Sequence, residues 1–427
     1  MDNNTFGYIG KTASNGGFRL NTVNVNTRNI QLTGSALDSN VSIQTAANGK
    51  IALIIAEEVG YETFIGESLK VYDAATLREL KSFAFSPAAG KDAEPLHHRD
   101  AGFSLGDKYL AVASEVDAIT SGTSAQQFIS IYDVVGSAAA IHIPVFIAGT
   151  TKAVNPALGT DTLLFVSTWG DYFIAGGNSG TGIFKIKNEN NQLSFEKEGT
   201  LDGIAPHWAI SNGKYVLESK AGTAPGKVKV WKWNGTSAPT VVGTADTGDS
   251  GSVRGYSFDA EDANTAYAFG VGTSVGKVFS INLTTAAATE VFTITTWNIA
   301  GRGGSTKHTL GMVWNLEHRK ADTDNYYVLS GTVSSGQQPL DGDGNDTGTA
   351  TTNSMNGVLV LKNPTSTTAT DGTAVVSAAT DSSYTTAVRT MKTFKSAGGE
   401  IFYAAKNYTA NPAWGATPYI LQLRKIN

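Results

Sequence analysis

The stretch "HWAISNGKYVLESKAGTAPGKVKVWKWNGTSAPTVVGT", from His207 to Thr244, holds four strand-like runs in a row. A short first run is followed by the apolar run KYVLES, the alternating run KVKVWKW and the more exposed run PTVVGT. Apolar residues at every second position, bounded by Gly, Asn, Pro and Ser clusters, predict β-strands rather than helices. The stretch therefore predicts one four-stranded antiparallel unit.

The same order of runs recurs along the chain. It is clear at 40–85 and 253–294, and variant forms begin at His97, Thr162, His308 and Val388. A recurrence of about 40 to 50 residues is typical of β-propeller blades. We therefore predict an all-β fold, with residues 1–427 forming a single-domain β-propeller. The prediction is seven blades of four antiparallel strands, and eight blades is the alternative.

The two ends of the chain bear on the blade count. Residues 1–39 hold two or three strands without an obvious first strand, and the last repeat stops after its third strand. We expect the strands of 1–39 to complete the last blade and close the ring, which would remove an open sheet edge. If they form a blade of their own, the count is eight, and an open solenoid is a third option.

Composition excludes several classes of function. The formal net charge is −5, which argues against binding to nucleic acid, since that needs a basic surface. No run of 18 apolar residues is present, so we expect no membrane span. The absence of cysteine excludes disulfides, thiolate metal sites and thiol nucleophiles. The start "MDNNTFGYIG" does not resemble a signal peptide, so the protein is either cytoplasmic or begins after a removed leader.

Polar and aromatic residues open the first strands of the repeats. Because first strands line the channel of a propeller, these residues are predicted to ring one entrance. The set comprises His97, His98, Arg99, His207, Trp208, Arg254, Tyr256, Arg302, His308 and Arg389. Arginine, histidine and aromatic side chains suit an anionic or aromatic ligand, through charge-assisted hydrogen bonds and stacking. The alternative is that these residues only flank buried strands.

The sequence offers two candidate metal sites, and its spacing favours neither. His97, His98 and His207 offer imidazole ligands, but neighbouring residues of a strand face opposite sides, so the pair needs a loop to share one ion. We expect no cofactor, with calcium in the loop "DGDGNDTG" as the alternative.

That loop matches a calcium loop only in part. Asp341, Asp343 and Asn345 have the spacing of oxygen ligands at positions 1, 3 and 5. Asp346 then stands where the motif has Gly, and Thr352 where it has Glu. A solvated loop is the competing interpretation.

Catalytic motifs are missing from the sequence. It has no G-x-S-x-G elbow, no phosphate-binding P-loop and no H-E-x-x-H. Carboxylates such as Glu115 and Glu218 are available for acid–base work, but their spacing predicts no pairing. Asp133, in "IYD", is predicted to form a turn, and Trp231 and Trp233 are predicted to pack between blades.

The repeats "GKYVLESKAG…GKVKVWKWN" and "DKYLAVASEV…ISIYDV", the Asn/Thr/Gly-rich loops and the absent cysteines resemble the exported β-propellers of gut Bacteroidetes, many of them surface lipoproteins. The resemblance covers nearly the whole chain and transfers no site residue. It implies capture of glycans, or of siderophores, for an outer-membrane transporter. The lipidated cysteine of such proteins is absent, as expected where the sequence starts after it.

These observations predict a non-enzymatic, cell-surface or secreted ligand-binding propeller. We expect it at the extracellular or outer-membrane surface, as a monomer, binding a glycan or a small anionic or aromatic ligand in the central funnel. One alternative is a glycan-active lyase or hydrolase that uses histidines and carboxylates of the funnel. Another is a protein-interaction scaffold that binds through the insert 331–356, which joins the second and third strands of the sixth repeat.

Overall fold

The structure is a computed structural model, and within some strands it describes the backbone alone. The described residues are 5–11, 18–24, 30–32, 40–45, 50–60, 63–73, 78–84, 93–95, 103–116, 126–147, 163–177, 180–201, 208–212, 214–219, 226–248, 252–271, 276–294, 310–333, 355–364, 377–378, 390–396, 398–407 and 420–426. These ranges contain strands and turns and no helix.

The described backbone divides into two compact units. The first unit comprises residues 1–220 and 229–242, and the second comprises 221–228 and 243–427. The prediction of a single domain over 1–427 stays a prediction.

The strands of the first unit fall into five sheets, and β19 and β20 extend a few residues beyond the unit. The first three sheets are β1 (Thr5–Lys11), β2 (Phe18–Asn24) and β3 (Ile30–Leu32); β4 (Asn40–Thr45), β5 (Lys50–Gly60), β6 (Thr63–Asp73) and β7 (Glu79–Ala84); and β8 (Ala93–Pro95), β9 (Phe103–Leu105), β10 (Tyr109–Val116), β11 (Gln126–Asp133) and β12 (Ile141–Ile147). The other two are β13 (Leu163–Trp169), β14 (Tyr172–Gly177), β15 (Gly180–Glu189) and β16 (Gln192–Leu201); and β17 (Trp208–Ser211), β18 (Tyr215–Ser219), β19 (Lys227–Lys232) and β20 (Thr240–Asp246).

The second unit continues the same pattern. Its sheets are β21 (Ser252–Phe258), β22 (Thr265–Val271), β23 (Gly276–Asn282) and β24 (Ala287–Ile294); β25 (Leu310–Ala321), β26 (Asp324–Val333), β27 (Met355–Lys362) and β28 (Ser377–Ala378); and β29 (Thr390–Lys395), β30 (Ile401–Asn407) and β31 (Ile420–Lys425).

Most sheets are four-stranded, with strands hydrogen-bonded in the order of the chain. Neighbouring strands in these sheets are antiparallel, so each four-stranded sheet is an up-and-down meander. This confirms the predicted fold class: the protein is all-β, with the repeating sheets of a β-propeller. The strands of 1–39 form a three-stranded sheet, and the described part of the last repeat has three strands, as predicted. The choice between seven and eight blades, and the closure of the ring, stay predictions.

Sequence alternation explains how these sheets pack. In β10, Leu110 and Val112 enter one buried cluster, while Tyr109, Ala111 and Ala113 enter another. Successive residues of a strand face opposite sides, so this strand is buried on both faces. The sheet of β8–β12 therefore lies between the sheet of β4–β7 and the sheet of β13–β16, and apolar burial on both faces stabilises it.

Asp133 closes a turn after β11. Its side chain is buried, and it accepts hydrogen bonds from the backbone N–H groups of Val135 at 3.1 Å and Gly136 at 2.6 Å. Ala138 N–H and the Asn188 side-chain amide donate to its other oxygen at 3.3 Å. The prediction that Asp133 forms a turn is confirmed, and its carboxylate is fully used by the fold.

Candidate functional site

Few of the predicted entrance residues lie within the described ranges. Trp208 begins β17, and Arg254 and Tyr256 lie in β21, each described by its backbone only. Outside the described residues are His97, His98, Arg99, His207, Arg302, His308 and Arg389. The calcium ligands Asp341, Asp343 and Asn345 lie outside them as well. The ligand ring and both metal sites stay predictions.

In the second unit, the first strands of neighbouring sheets run in the same direction. Asp259 contacts His318 at 3.1 Å, and Glu261 accepts a bond from the backbone of Lys320 at 3.4 Å. From the first contact to the second, the residue number rises from 259 to 261 on one segment and from 318 to 320 on the other. The strands β21 and β25 are therefore parallel neighbours. The beginnings of these two strands therefore lie at the same end of the unit.

The strand β29 joins this arrangement. Glu317 accepts the backbone N–H of Thr393 at 2.7 Å, and the Lys395 ammonium donates to the carbonyl of Lys320 at 2.8 Å. The residue number again rises on both strands, from 317 to 320 on β25 and from 393 to 395 on β29, so the two strands are parallel. Three first strands, β21, β25 and β29, thus begin at one end of the second unit.

The first unit repeats this geometry between β9 and β13. Thr168 donates its backbone N–H to Ser104 Oγ at 3.0 Å, and Gly170 donates to Asp107 Oδ1 at 2.7 Å. These contacts fix the two first strands side by side and parallel. The turns that follow the first strands tie neighbouring sheets together, at the opposite end from the strand beginnings.

Bulges interrupt two first strands of the second unit, β21 and β25. In β21, Arg254 is opposite Phe269 and Ser257 is opposite Tyr267, so two residues face one on β22. In β25, the register shifts between Leu310 and Val313 and again before Asn315. Bulges leave backbone groups out of the ladder and re-aim side chains, and they are common beside functional sites.

The segment around "HHRD" is predicted to open a first strand at His97, and that opening lies outside the described residues. Two short strands pair with β10: Pro95 of β8 lies opposite Ser114, and Phe103 of β9 lies opposite Val112. The strand β9 lies within the predicted first strand, and the preceding β8 was not predicted. Residues 96–102 therefore join two positions that are close together on β10, although they lie outside the described residues themselves.

A buried charged cluster lies on the sheet that begins with Trp208. Glu218 has no exposed surface, and its Oε2 accepts a hydrogen bond from Trp231 Nε1 at 2.8 Å. The Lys229 ammonium lies 4.5 Å from the centre of the Trp231 ring, a cation–π contact. On β17, Ala209 is opposite Glu218, so the cluster stands directly behind the beginning of that strand.

Trp231 and Trp233 belong to the core of the first unit. They are 3% and 2% exposed and pack with Tyr172 and Ile174 of the neighbouring sheet. This confirms the prediction that they pack between sheets rather than forming a stacking platform for a ligand.

Two histidines are described with their side chains, His142 and His318. The Nδ1 atom of His142 lies 2.8 Å from Ser130 Oγ, and burial lowers the pKa of the imidazole. His318 contacts Asp259 and is buried. Both stabilise contacts between strands, and neither stands at the beginning of a first strand.

Within the part of the chain that the structure describes, no three His, Cys, Asp or Glu side chains are grouped to hold a metal ion. The same residues contain no helix of the length and apolar character needed to cross a membrane.

No model of a known protein family matches the chain, and no curated protein matches it. Solved structures do resemble it. One is an oligogalacturonate lyase in complex with manganese, at 10% identity, covering 100% of this chain and 86% of that one with a TM-score of 0.44. Another is the Dos1 propeller, at 10% identity, covering 91% and 85% with a TM-score of 0.43. A third is an acylaminoacyl peptidase of Pyrococcus horikoshii, at 11% identity, covering 95% and 57% with a TM-score of 0.40. At such identities no activity, ligand or metal of these proteins transfers to this chain.

Proposed function

We propose that the protein is a non-enzymatic binding propeller that takes a glycan, or a small anionic or aromatic ligand, at the beginnings of its first strands. The common direction of β21, β25 and β29 supports this proposal most directly. Neighbouring parallel strands start at one end, so polar residues that open them are available to a shared ligand. Arginine and histidine would supply charge-assisted hydrogen bonds, and Trp208 and Tyr256 would supply stacking surfaces.

The state of Glu218 removes one carboxylate from the catalytic alternative. A general acid or base must come within hydrogen-bond reach of its substrate. Glu218 has no exposed surface, and one of its oxygens accepts the indole N–H of Trp231. This carboxylate therefore acts as an internal support of the sheet behind Trp208.

The proposal includes the setting of the protein. We place it outside the cell or on an outer-membrane surface, as a monomer among the exported Bacteroidetes propellers, delivering its ligand to an outer-membrane transporter. The low charge and the absence of cysteine are compatible with this setting.

The test is binding of an oligosaccharide panel, followed by calorimetry on any hit. His207→Ala and Trp208→Ala should each weaken binding about tenfold or more, the effect of losing about 1.4 kcal/mol of contact energy. Lys214→Ala is the matched control, because Lys214 is exposed and precedes β18 at the far end from Trp208. Unchanged thermal midpoints would show that the variants are folded.

Other outcomes would overturn the proposal. Turnover of the panel that is lost in His98→Ala and His207→Ala would identify an enzyme instead. Absence of binding, combined with a protein partner that is lost on deletion of 334–354, would identify a scaffold.

A further inference from the structure

In four of the sheets, lysines of the third strand form ion pairs with acidic residues of the fourth strand. These are the sheets of β4–β7, β13–β16, β17–β20 and β21–β24. The pairs are Lys70 with Glu79 at 3.0 Å, Lys185 with Glu198 at 3.7 Å, Lys187 with Glu196 at 2.6 Å, Lys227 with Asp246 at 3.6 Å, and Lys277 with Glu290 at 3.0 Å. Opposite charges on neighbouring strands stabilise a sheet, and like charges destabilise it. In these repeats, a third strand that carries lysine is therefore paired with a fourth strand that carries a carboxylate.

The last sheet has the lysine without the fourth strand. Among the residues that the structure describes, this sheet consists of β29, β30 and β31. Lys425, at the end of β31, pairs with Glu400, which directly precedes β30. Lys362, at the end of β27, pairs in the same way with Asp324 of β26 at 2.6 Å, and the short strand β28 pairs with β27 only in its first half. Lysines that no described fourth strand reaches thus pair back to the beginning of the second strand.

The outer edge of β31 presents evenly spaced backbone groups. The strands β30 and β31 pair without a register shift over the whole length of β31. Just beyond it, the backbone N–H of Ile426 donates to the carbonyl of Ile401 at 2.8 Å. Because hydrogen bonds alternate along an antiparallel pair, the N–H and C=O groups of Leu421, Leu423 and Lys425 point away from β30. No strand that the structure describes pairs with them, and such an edge is a template for another extended segment.

The last repeat is basic, although the chain as a whole is acidic. Residues 388–427 contain six Lys and Arg residues and one Glu, a formal charge of +5, whereas the whole chain has −5. Lys392 pairs with Glu317 at 3.2 Å and still leaves 71% of its side chain exposed, and the side chain of Lys425 is 50% exposed. A positive surface favours a negative partner and disfavours a positive one. The charge of the repeat and the pairing of lysines elsewhere therefore select the same partner chemistry.

We propose that the edge of β31 is a docking surface for a partner protein, which adds an extended acidic segment as the fourth strand of this sheet. Backbone hydrogen bonds with Leu421, Leu423 and Lys425 hold the segment. Its carboxylates pair with the Lys425 ammonium, as Glu290 pairs with Lys277 in the sheet of β21–β24. This docking surface does not depend on the ligand-binding function proposed above, and its failure would leave that function standing.

The experiment measures the binding of three synthetic peptides by fluorescence anisotropy. The first has ten residues that alternate threonine and valine, with two threonines replaced by glutamate. The second has lysine in place of the glutamates, and the third is the acidic peptide with a central valine replaced by proline. The acidic peptide should bind about tenfold more tightly than the lysine peptide, equivalent to about 1.4 kcal/mol. Proline removes a backbone donor and should weaken binding clearly. Equal binding of the three peptides, or no binding of the acidic one, would overturn the proposal.

Hydrogen exchange of single backbone amides locates the peptide. The amides of Leu421, Leu423 and Lys425 should exchange rapidly in the protein alone and slowly when the acidic peptide is bound. The amides of Gln422 and Arg424, which point towards β30, should exchange slowly in both states. Slow exchange of all five in the protein alone would show that a segment of the same chain fills the edge. Slow exchange that appears only at high protein concentration would assign the edge to a second copy, and either result would overturn a separate partner.

A matched pair of variants tests the charge. Lys425→Gln should reduce the preference for the acidic peptide over the lysine peptide by several fold. Lys277→Gln is the control, because Lys277 is also a lysine of a third strand but has its fourth-strand partner, Glu290, in place. This variant should keep the preference of the wild type. An undiminished preference in Lys425→Gln, or an equal loss in both variants, would overturn the acidic occupant.

Discussion

Asp259 Oδ1 lies 3.1 Å from His318 Nδ1, and the two side chains are 4% and 7% exposed. The other ring nitrogen of His318 lies 3.1 Å from Asn325 Oδ1. The rings of Tyr267 and Tyr327 enclose the imidazole at 5.0 Å and 4.9 Å between centres. Burial, with smaller contributions from Tyr327 and Asp259, raises the pKa of the Tyr267 phenol. This contact fixes the turn after β21 onto β25 and holds the two first strands in register.

Removal of the Asp259 carboxylate should destabilise the fold. Asp259→Ala leaves the buried Nδ1 atom of His318 without its partner, and an unsatisfied buried polar group costs about 1 to 3 kcal/mol. Urea unfolding should therefore show a lower midpoint. Asp246→Ala is the control, because the Asp246 side chain is 59% exposed and its ion pair with Lys227 is at the surface. Equal effects of the two substitutions would contradict the role given to Asp259.

The indole of Trp231 should stabilise the fold through its N–H group as well as through packing. Trp231→Phe removes the donor to Glu218 and leaves a buried acceptor unsatisfied, which should cost about 1 to 3 kcal/mol, with a further loss of packing volume. Urea unfolding of Trp231→Phe should therefore show a lower midpoint. A midpoint equal to that of the wild type would contradict this role of the indole N–H group.

Gly170 should tolerate no side chain. It has a φ of +59°, and a Cβ atom there would lie 1.9 Å from the carbonyl oxygen of Gly235. Gly248 has a φ of +67° with no atom within 4 Å of the equivalent position. Gly248→Ala should therefore cost only about 1 to 2 kcal/mol for the left-handed backbone, whereas Gly170→Ala should cost clearly more. Thermal unfolding of the two variants tests this, and similar midpoints would show that the turn at Gly170 moves freely.

Stability should fall in mild acid because of His142. Burial lowers the pKa of its imidazole in the folded protein, so the unfolded chain binds this proton more readily. The contribution of His142 to the free energy of unfolding is complete above the pKa of the imidazole in the unfolded chain, about 6.5. It is lost as the pH falls from there towards the lower pKa of the folded protein.

Urea unfolding between pH 7.5 and pH 5 measures this dependence. The variant His142→Gln, which can still hydrogen-bond Ser130, should show a smaller loss of stability over that interval. An identical loss in the variant would assign the acid sensitivity to other groups.

The sequence predicted most of the fold because strand signals are local. The runs KYVLES, KVKVWKW and PTVVGT became β18, β19 and β20 in that order. Alternation of apolar residues fixes which side chains can be buried, and Gly and Asn clusters fix where the chain turns. The turn role of Asp133 was predictable for the same reason, since most of its partners lie within five residues.

The candidate site was predictable only in part. Residues at strand beginnings can be located from the pattern, but a bulge such as that between Arg254 and Ser257 has no local signal beyond Gly255. The short strand β8 was missed because it depends on pairing with β10. Its partner, Ser114, follows only once the sheet has formed.

The sequence by itself determined the strands, their order and their grouping into repeats, because period-two alternation and turn chemistry act over a few residues. The tertiary structure alone decided which polar side chains meet. His318 reaches Asp259 across 59 residues of chain, and Arg319 reaches Thr393 across 74. Such contacts arise when sheets pack against one another, and that packing sets the common direction of β21, β25 and β29.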